Sequence, residues 1–551
     1  MRTGVVAFAF AWVTLFMQGE IFGQEKSSGL PLVTGKHVAV AETGSGKVRG
    51  YIHHGVYTYK GIPYAEADRF MPPAKPKPWD DVRSSLTYGP VCPLIDPTTS
   101  VRDEIEFVFH HDWGYPSEDC MRLNIWTPGI KSSGTAGKKR PVMVWLHGGG
   151  HTAGSSQELP SYDGENLARK GDVVVVSINH RLNILGFLDL SAYGEKYKHS
   201  SNVSIMDIVA SLEWVKANIE NFGGDPGNIT IFGQSGGGGK VNTLLNAPSA
   251  KGLFHKAIIQ SGGLGLRFHD KEVTQKVASL VLAELKLGPS EVDSLQRIPF
   301  AVLAAAGKKA MAKVNEDLKA QGKVTSPFGV SWGPTHDGSF LPYQPTDAEA
   351  KALSANIPLL IGSTKNEFMT SLSSPSLKDA SAGEVRSHIQ KQYGDKTDAY
   401  IAAVKKAYPT DTRPTDLIDI DDRFRRSALR MAELKVSGSS APVFMYLFAW
   451  QSPVLDGNYK SLHCMEIPFV FNNINRCEEM TGGGKDAYAL ADKVSDAWIS
   501  FARNGDPNHK GIPRWQRYTP ENGATMILDN QCVEKYHHDK EFLGITPGGT
   551  L

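Results

Sequence analysis

Neither sign of charge is in excess in this 551-residue chain. Lysine and arginine number 59 against 58 aspartates and glutamates, which leaves a formal net charge of +1 at pH 7. That balance offers nothing to a nucleic acid or an anionic membrane, and neither is expected as a partner. Cysteine is scarce, with five residues at positions 92, 120, 464, 477 and 532. An odd number leaves at least one thiol unpaired within the chain, and spacing alone does not fix the connectivity. Past residue 17 no stretch is apolar for long enough to span a bilayer, so no membrane span is expected in the mature chain. Internal repeats, heptads and low-complexity tails are missing too, which removes solenoids and coiled coils.

What is present is an ordinary globular composition, 41% hydrophobic and 21% charged. The N-terminus has Arg2 ahead of an apolar run at 4–17, too short for a comfortable span and right for a secretory leader. Residues 1–23 are therefore expected to be a signal peptide, and the product to be secreted or periplasmic. Residues 24–551 are expected to form a single domain. After a proline-rich stretch at 72–78 and an aperiodic, loop-like segment at 92–120, the pattern becomes regular. Apolar runs at 141–146 and 172–178 suit strands buried on both faces of a mostly parallel sheet, and further strands are read at 256–260, 357–361, 443–448 and 525–528. Helical periodicity at 205–219, 240–246 and 486–503 alternates with them, and the segments 270–320 and 375–435 are helix-rich. The alternation predicts an α/β fold, with helical insertions covering the strand ends.

The chemistry centres on Gly233-Gln234-Ser235-Gly236-Gly237, a G-x-S-x-G corner that follows a β-branched run. Such a corner is a strained strand-to-helix turn that lifts a serine hydroxyl into the open. A serine needs a base within hydrogen-bond reach, and the base needs an acid to orient it. Eight histidines follow Ser235. His463, in a loop after the 443–448 run, is the foremost candidate, with the other seven still open. Glu367 follows a strand, a glycine and a polar loop, and Asp337 in a Pro-Thr-His-Asp-Gly turn is its rival. His147-Gly148-Gly149-Gly150 closes the 141–146 run and matches an oxyanion loop, whose backbone amides point at a developing negative oxygen. The amide of Gly236 would add another.

Taken with 61–65, 117–128, 142–150 and 221–226, these motifs make the chain resemble the type-B carboxylesterase family. That group also holds cholinesterases and bacterial para-nitrobenzyl esterases. The resemblance covers essentially the whole mature chain. It implies the α/β-hydrolase fold and a serine hydrolase that cleaves carboxylic esters through an acyl-enzyme. It places Ser235, Glu367 and His463 as the triad and Gly149, Gly150 and Gly236 as oxyanion donors. It also implies a disulfide between Cys92 and Cys120, an ion pair between Arg69 and Glu118, a small-molecule ester as substrate, and no metal or cofactor. A lipase, amidase or carbamate hydrolase on the same site is the alternative. A non-catalytic adhesion member is the rival from another class, disfavoured because all three triad positions are filled. Three positions depart from the family pattern. Gln234 stands where glutamate is usual, Gly236 where alanine is usual, and His151 where an aromatic is usual. Gln234 removes a charge beside the nucleophile, and Trp113 lies closer to Cys120 than a cation-binding tryptophan would. A roomier, less cation-selective pocket is expected.

Overall fold

Runs such as 141–146 and 173–176 have no polar face to give to water, and they fold as inner strands of one twelve-stranded sheet. The computed structural model describes residues 30–94, 103–133, 138–262, 266–323 and 329–547, and the expected leader at 1–23 lies outside them. In chain order the strands of this sheet are β1 (Leu32–Val33), β2 (Tyr51–His53), β3 (Val56–Pro63), β4 (Arg122–Thr127), β5 (Arg140–Leu146) and β6 (Val174–Ile178). They continue with β7 (Gly224–Gln234), β8 (Lys256–Gln260), β9 (Leu359–Thr364), β10 (Val443–Phe448), β11 (Ala524–Leu528) and β12 (Val533–Tyr536). Their spatial order is β1-β2-β3-β4-β6-β5-β7-β8-β9-β10-β11-β12. The strands from β6 to β11 pair in parallel, and the flanking strands are antiparallel. This is the α/β-hydrolase arrangement that the sequence leads one to expect.

The chain leaves β5 toward β6 on one side and leaves β7 toward β8 on the other. Where neighbouring strands send their connections in opposite directions, a crevice opens at their carboxyl ends. The glycine loop after β5 and the serine corner after β7 share that crevice.

Helices cover both faces. Those that bear on the site are α1 (Val203–Asn218), α2 (Gly236–Leu245), α3 (Lys271–Glu284), α4 (Phe300–Ala320), α5 (Arg423–Ser437) and α6 (Lys485–Asn504). The periodicity of α1 predicts an amphipathic helix, yet only Glu213, Lys216 and Ala217 are exposed. Its other polar residues, Ser204, Asp207, Ser211 and Asn218, are buried, with Asp207 paired to Arg181 at 2.6 Å. The aperiodic segment 92–120 contains a short helix, Asp103–Phe109, where the sequence pattern predicts only loop. Residues 47–52, a single strand-like stretch in the sequence, form two strands in different sheets, Gly46–Arg49 and β2. They break at Gly50, where a Cβ would lie 2.1 Å from the Thr58 carbonyl oxygen.

Candidate active site

Strand β7 ends at Gln234, and α2 begins at Gly236. Ser235 joins them with φ 55° and ψ −123°, a backbone strained for any residue with a side chain. Packing enforces the corner. A Cβ at Gly237 would lie 1.9 Å from the Leu146 carbonyl oxygen, and one at Gly233 would lie 2.6 Å from it. The Ser235 amide donates to the Gln260 carbonyl at 2.8 Å, which ties the corner to the end of β8.

Glu367 follows β9 and is 2% exposed. Its Oε1 accepts from the Thr364 amide at 2.9 Å. Its Oε2 is hydrogen-bonded to Nδ1 of His463. The two segments are also joined through the main chain, since the His463 amide donates to the Glu367 carbonyl at 3.0 Å. The rings of Phe368 and Phe424 stand 4.6 and 5.4 Å from the imidazole. Among the described residues no hydrogen bond joins Ser235 Oγ to His463. Such contacts are often long until substrate is bound. Asp337, the rival acid, is engaged elsewhere. It accepts from Asn202 Nδ2 at 2.9 Å and from the Ser339 and Leu341 amides. His255, His336, His509 and His537 hold backbone groups.

Gly149 and Gly150 take left-handed conformations, φ 81° and 63°. A Cβ at Gly236 would lie 2.4 Å from the Gly150 nitrogen, so the glycine loop is pressed against the residue after the serine. Among the described residues the amides of Gly149 and Gly150 donate to no protein group. Amides without an acceptor beside a serine can receive a negative oxygen.

Ser235, Gly150, Gly236 and His151 open onto a cleft of about 1150 Å³. Its walls include Phe268, Phe368 and Phe424, and it runs on to Trp332, Val314 and Leu318 on the α4 side. His151 is set edge-on to Phe187 at 5.2 Å. Burial first, then the charge of Lys240, pushes its imidazole down to about 3.

Several expectations shift here. Gln234 is fully buried, and its side chain lies behind the imidazole instead of in the cleft wall. Its Nε2 is 3.2 Å from one nitrogen of His463 and 3.4 Å from the other. An atom nearly equidistant from both ring nitrogens lies over the ring face. Its Oε1 accepts from the Cys464 thiol at 3.3 Å. Trp113 stacks on His111 and is not among the cleft residues. Arg69 and Glu118 do form an ion pair. Cys92 and Cys120 are buried as free thiols, not as the expected bond. They are neighbours, since interaction with Cys92 and then burial push the Cys120 thiol well up.

Glu466, which no sequence motif singles out, is fully buried three residues beyond His463. Its Oε1 accepts from Gln260 Nε2 at 3.2 Å, and among the described residues its Oε2 has no partner. Burial, and then the nearby Glu367 charge, push its carboxyl up to about 7. A glutamate inside the apolar stretch 465–471 is the signal that could have flagged it.

The chain is similar over most of its length to known esterases. The profile of the carboxylesterase family matches residues 37–543. The para-nitrobenzyl esterase of Bacillus subtilis is 34% identical over 90% of this chain and 95% of its own. The phenmedipham hydrolase of Pseudarthrobacter oxydans is 32% identical over 90% of this chain and 96% of its own. Among solved structures, an esterase from Clostridium hathewayi that can hydrolyse aliphatic aromatic polyesters superposes with a TM-score of 0.80. It is 36% identical and covers 94% of this chain and 99% of its own. The chain belongs to the carboxylesterase family and is a serine hydrolase of carboxylic esters.

Proposed function

We propose that Ser235, His463 and Glu367 carry the hydrolysis. Ser235 Oγ attacks the ester carbonyl carbon while His463 Nε2 takes the hydroxyl proton. The carbonyl oxygen becomes an oxyanion held by the amides of Gly149, Gly150 and Gly236. Its collapse expels the alcohol, which His463 protonates, and leaves an acyl group on Ser235. Water, deprotonated by His463, then releases the acid and restores the serine. Glu367 fixes the imidazole tautomer and stabilises the imidazolium. No step draws on a metal or a cofactor.

One observation carries this reading. A serine at a strained corner lines one cleft with a glycine loop whose amides donate to no group among the described residues, and a histidine on a buried carboxylate lies against Gln234, beside that serine. The cleft is large and mostly apolar near Ser235, which favours uncharged esters with an extended or bulky acyl or alcohol part. An N-terminal leader is proposed to export the chain, and oxidation after export is proposed to join Cys92 to Cys120.

Ser235→Ala is expected to abolish hydrolysis of p-nitrophenyl acetate and labelling by a fluorophosphonate, with an unchanged circular dichroism spectrum. Retained turnover would move the nucleophile elsewhere. A panel of esters, amides and carbamates of matched size separates the ester reading from its relatives. Faster turnover of the carbamate or the amide would replace it.

A further inference from the structure

Behind the glycine loop lies a buried basic cluster that the triad does not use. Lys240 sits one turn into α2 and is fully buried. Among the described residues no carboxylate forms a salt bridge with it. Its Nζ donates to the His147 carbonyl at 2.9 Å. His147 is 1% exposed, and its Nδ1 donates to the next carbonyl, that of Gly148, at 2.9 Å. Two successive peptide groups of the loop are thus gripped from behind by basic side chains. The second of these peptides carries the Gly149 amide at its other end. In a trans peptide the carbonyl and the N–H point in opposite directions, so fixing the carbonyl aims the amide. A donor on the carbonyl also polarises that amide.

We propose that Lys240 is a positioning residue for the oxyanion hole, holding the loop through the His147 carbonyl and placing a positive charge behind it. The groups that face it are known from each packed element. His147 and His151 come from the glycine loop, His180 from the end of β6, and Glu158 from the segment that follows the loop. Beyond His180, Asp207 is closed on Arg181. Burial pushes the Lys240 ammonium down to about 7, against the pull of Glu158. Burial first, with the Lys240 charge adding to it, holds His147 and His180 well below the usual imidazole range. The three imidazoles are therefore neutral around pH 7, and Lys240 is the basic group of the cluster that changes charge there.

The protonated form strengthens the hole, so its contribution is complete below the Lys240 pKa and fades as pH rises through about 7. The neutral amine still donates to the carbonyl, so the loop stays in place while the potential behind it falls. In a water-excluded site that potential acts on the transition state, which bears the oxyanion, and hardly at all on the neutral ester.

The test uses the whole enzyme with Lys240→Met, Lys240→Gln and Lys240→Arg, reading kcat, KM and melting temperature for p-nitrophenyl acetate across the pH range. Lys240→Met is expected to lower kcat about tenfold with KM within about twofold, a fraction of the loss for deleting an oxyanion donor outright. Its alkaline decline in kcat should disappear, and its melting temperature should not fall, because an unpaired buried ammonium is costly to keep. Lys240→Gln keeps a donor without the charge, so it should also lose the alkaline decline even if Lys240→Met does not fold. Lys240→Arg keeps the charge at all these pH values and should recover kcat. Superimposable pH profiles for wild type and the neutral variants overturn the proposal, as does a loss of kcat that only tracks a loss of melting temperature. The inference rests on the proposed oxyanion donors. A wild type that fluorophosphonate does not label at Ser235 overturns both readings, whereas a labelled enzyme indifferent to Lys240 overturns this one alone.

Discussion

Glu367 uses both of its oxygens, one on the Thr364 amide and one on His463 Nδ1. Replacing it with glutamine keeps the volume but lets the amide turn its NH2 toward the ring, which selects the wrong tautomer. Glu367→Gln is therefore expected to reduce kcat by about four orders of magnitude at unchanged fold. A near-normal rate would exclude Glu367 as the orienting acid. Glu466 sits nearby, and among the described residues it makes no hydrogen bond to His463. Its carboxyl is raised from 4.5 to about 7, mainly by burial and then by Glu367. A carboxyl whose folded pKa is raised supports the fold fully below its unfolded value and loses that support as pH rises through its folded value. Above pH 7 the cost approaches about 3 kcal/mol, since each tenfold weakening of an acid corresponds to roughly 1.4 kcal/mol. Glutamine at 466 keeps an acceptor for Gln260 and cannot ionise. Melting of Glu466→Gln should therefore match wild type near pH 4.5 and exceed it progressively toward pH 8. A gap that does not change with pH would mean that Glu466 does not titrate in this window.

At the scale of elements, the corner and the glycine loop are fitted to each other. Gly236 stands where the resemblance leads one to expect alanine, and the loop occupies the space an alanine would need. Its Cβ would lie 2.2 Å from the Gly150 carbonyl oxygen. Gly236→Ala should therefore displace the loop and cost about 10- to 100-fold in kcat through the oxyanion donors, with little change in melting temperature. Unchanged kcat would show that the loop yields freely. The same elements show what the sequence could convey. Strands β8 and β10 coincide residue for residue with the strands read from the sequence, and in β10 the run is apolar throughout because both faces are buried. The strand break at Gly50 was hidden, because it comes from a close approach of β3 that no local pattern records. Ser235 and the His147–Gly150 motif were legible because glycine spacing is local. Lys240 and Glu466 were not, since a lone charged residue reads as solvated surface until tertiary packing buries it.

The whole molecule assembles its site from strand ends far apart in the chain, so the pieces outside the sheet must be held by other means. The segment 92–120 is one such piece. Arg69 grips it through Glu118, and Cys92 and Cys120 bury themselves with Leu182, Ile184 and Val277 in a core that the α3 and α4 helices share. Here the two thiols are free. In an oxidising compartment their bond would close a loop of about 30 residues and restrict the unfolded chain, a stabilisation of about 3 to 4 kcal/mol on the chain-entropy account. For a chain this long the matching rise in melting temperature is only about 3 °C, because the entropy of unfolding scales with size. Protein recovered from an oxidising compartment, denatured and alkylated without reductant, should therefore carry the label on Cys464, Cys477 and Cys532 and not on Cys92 or Cys120. Adding reductant should lower the melting temperature by that small amount and leave kcat at 25 °C unchanged, since neither thiol touches Ser235 or His463. Alkylation of all five cysteines without reductant would mean that packing and the Arg69–Glu118 pair hold the segment without a covalent bond.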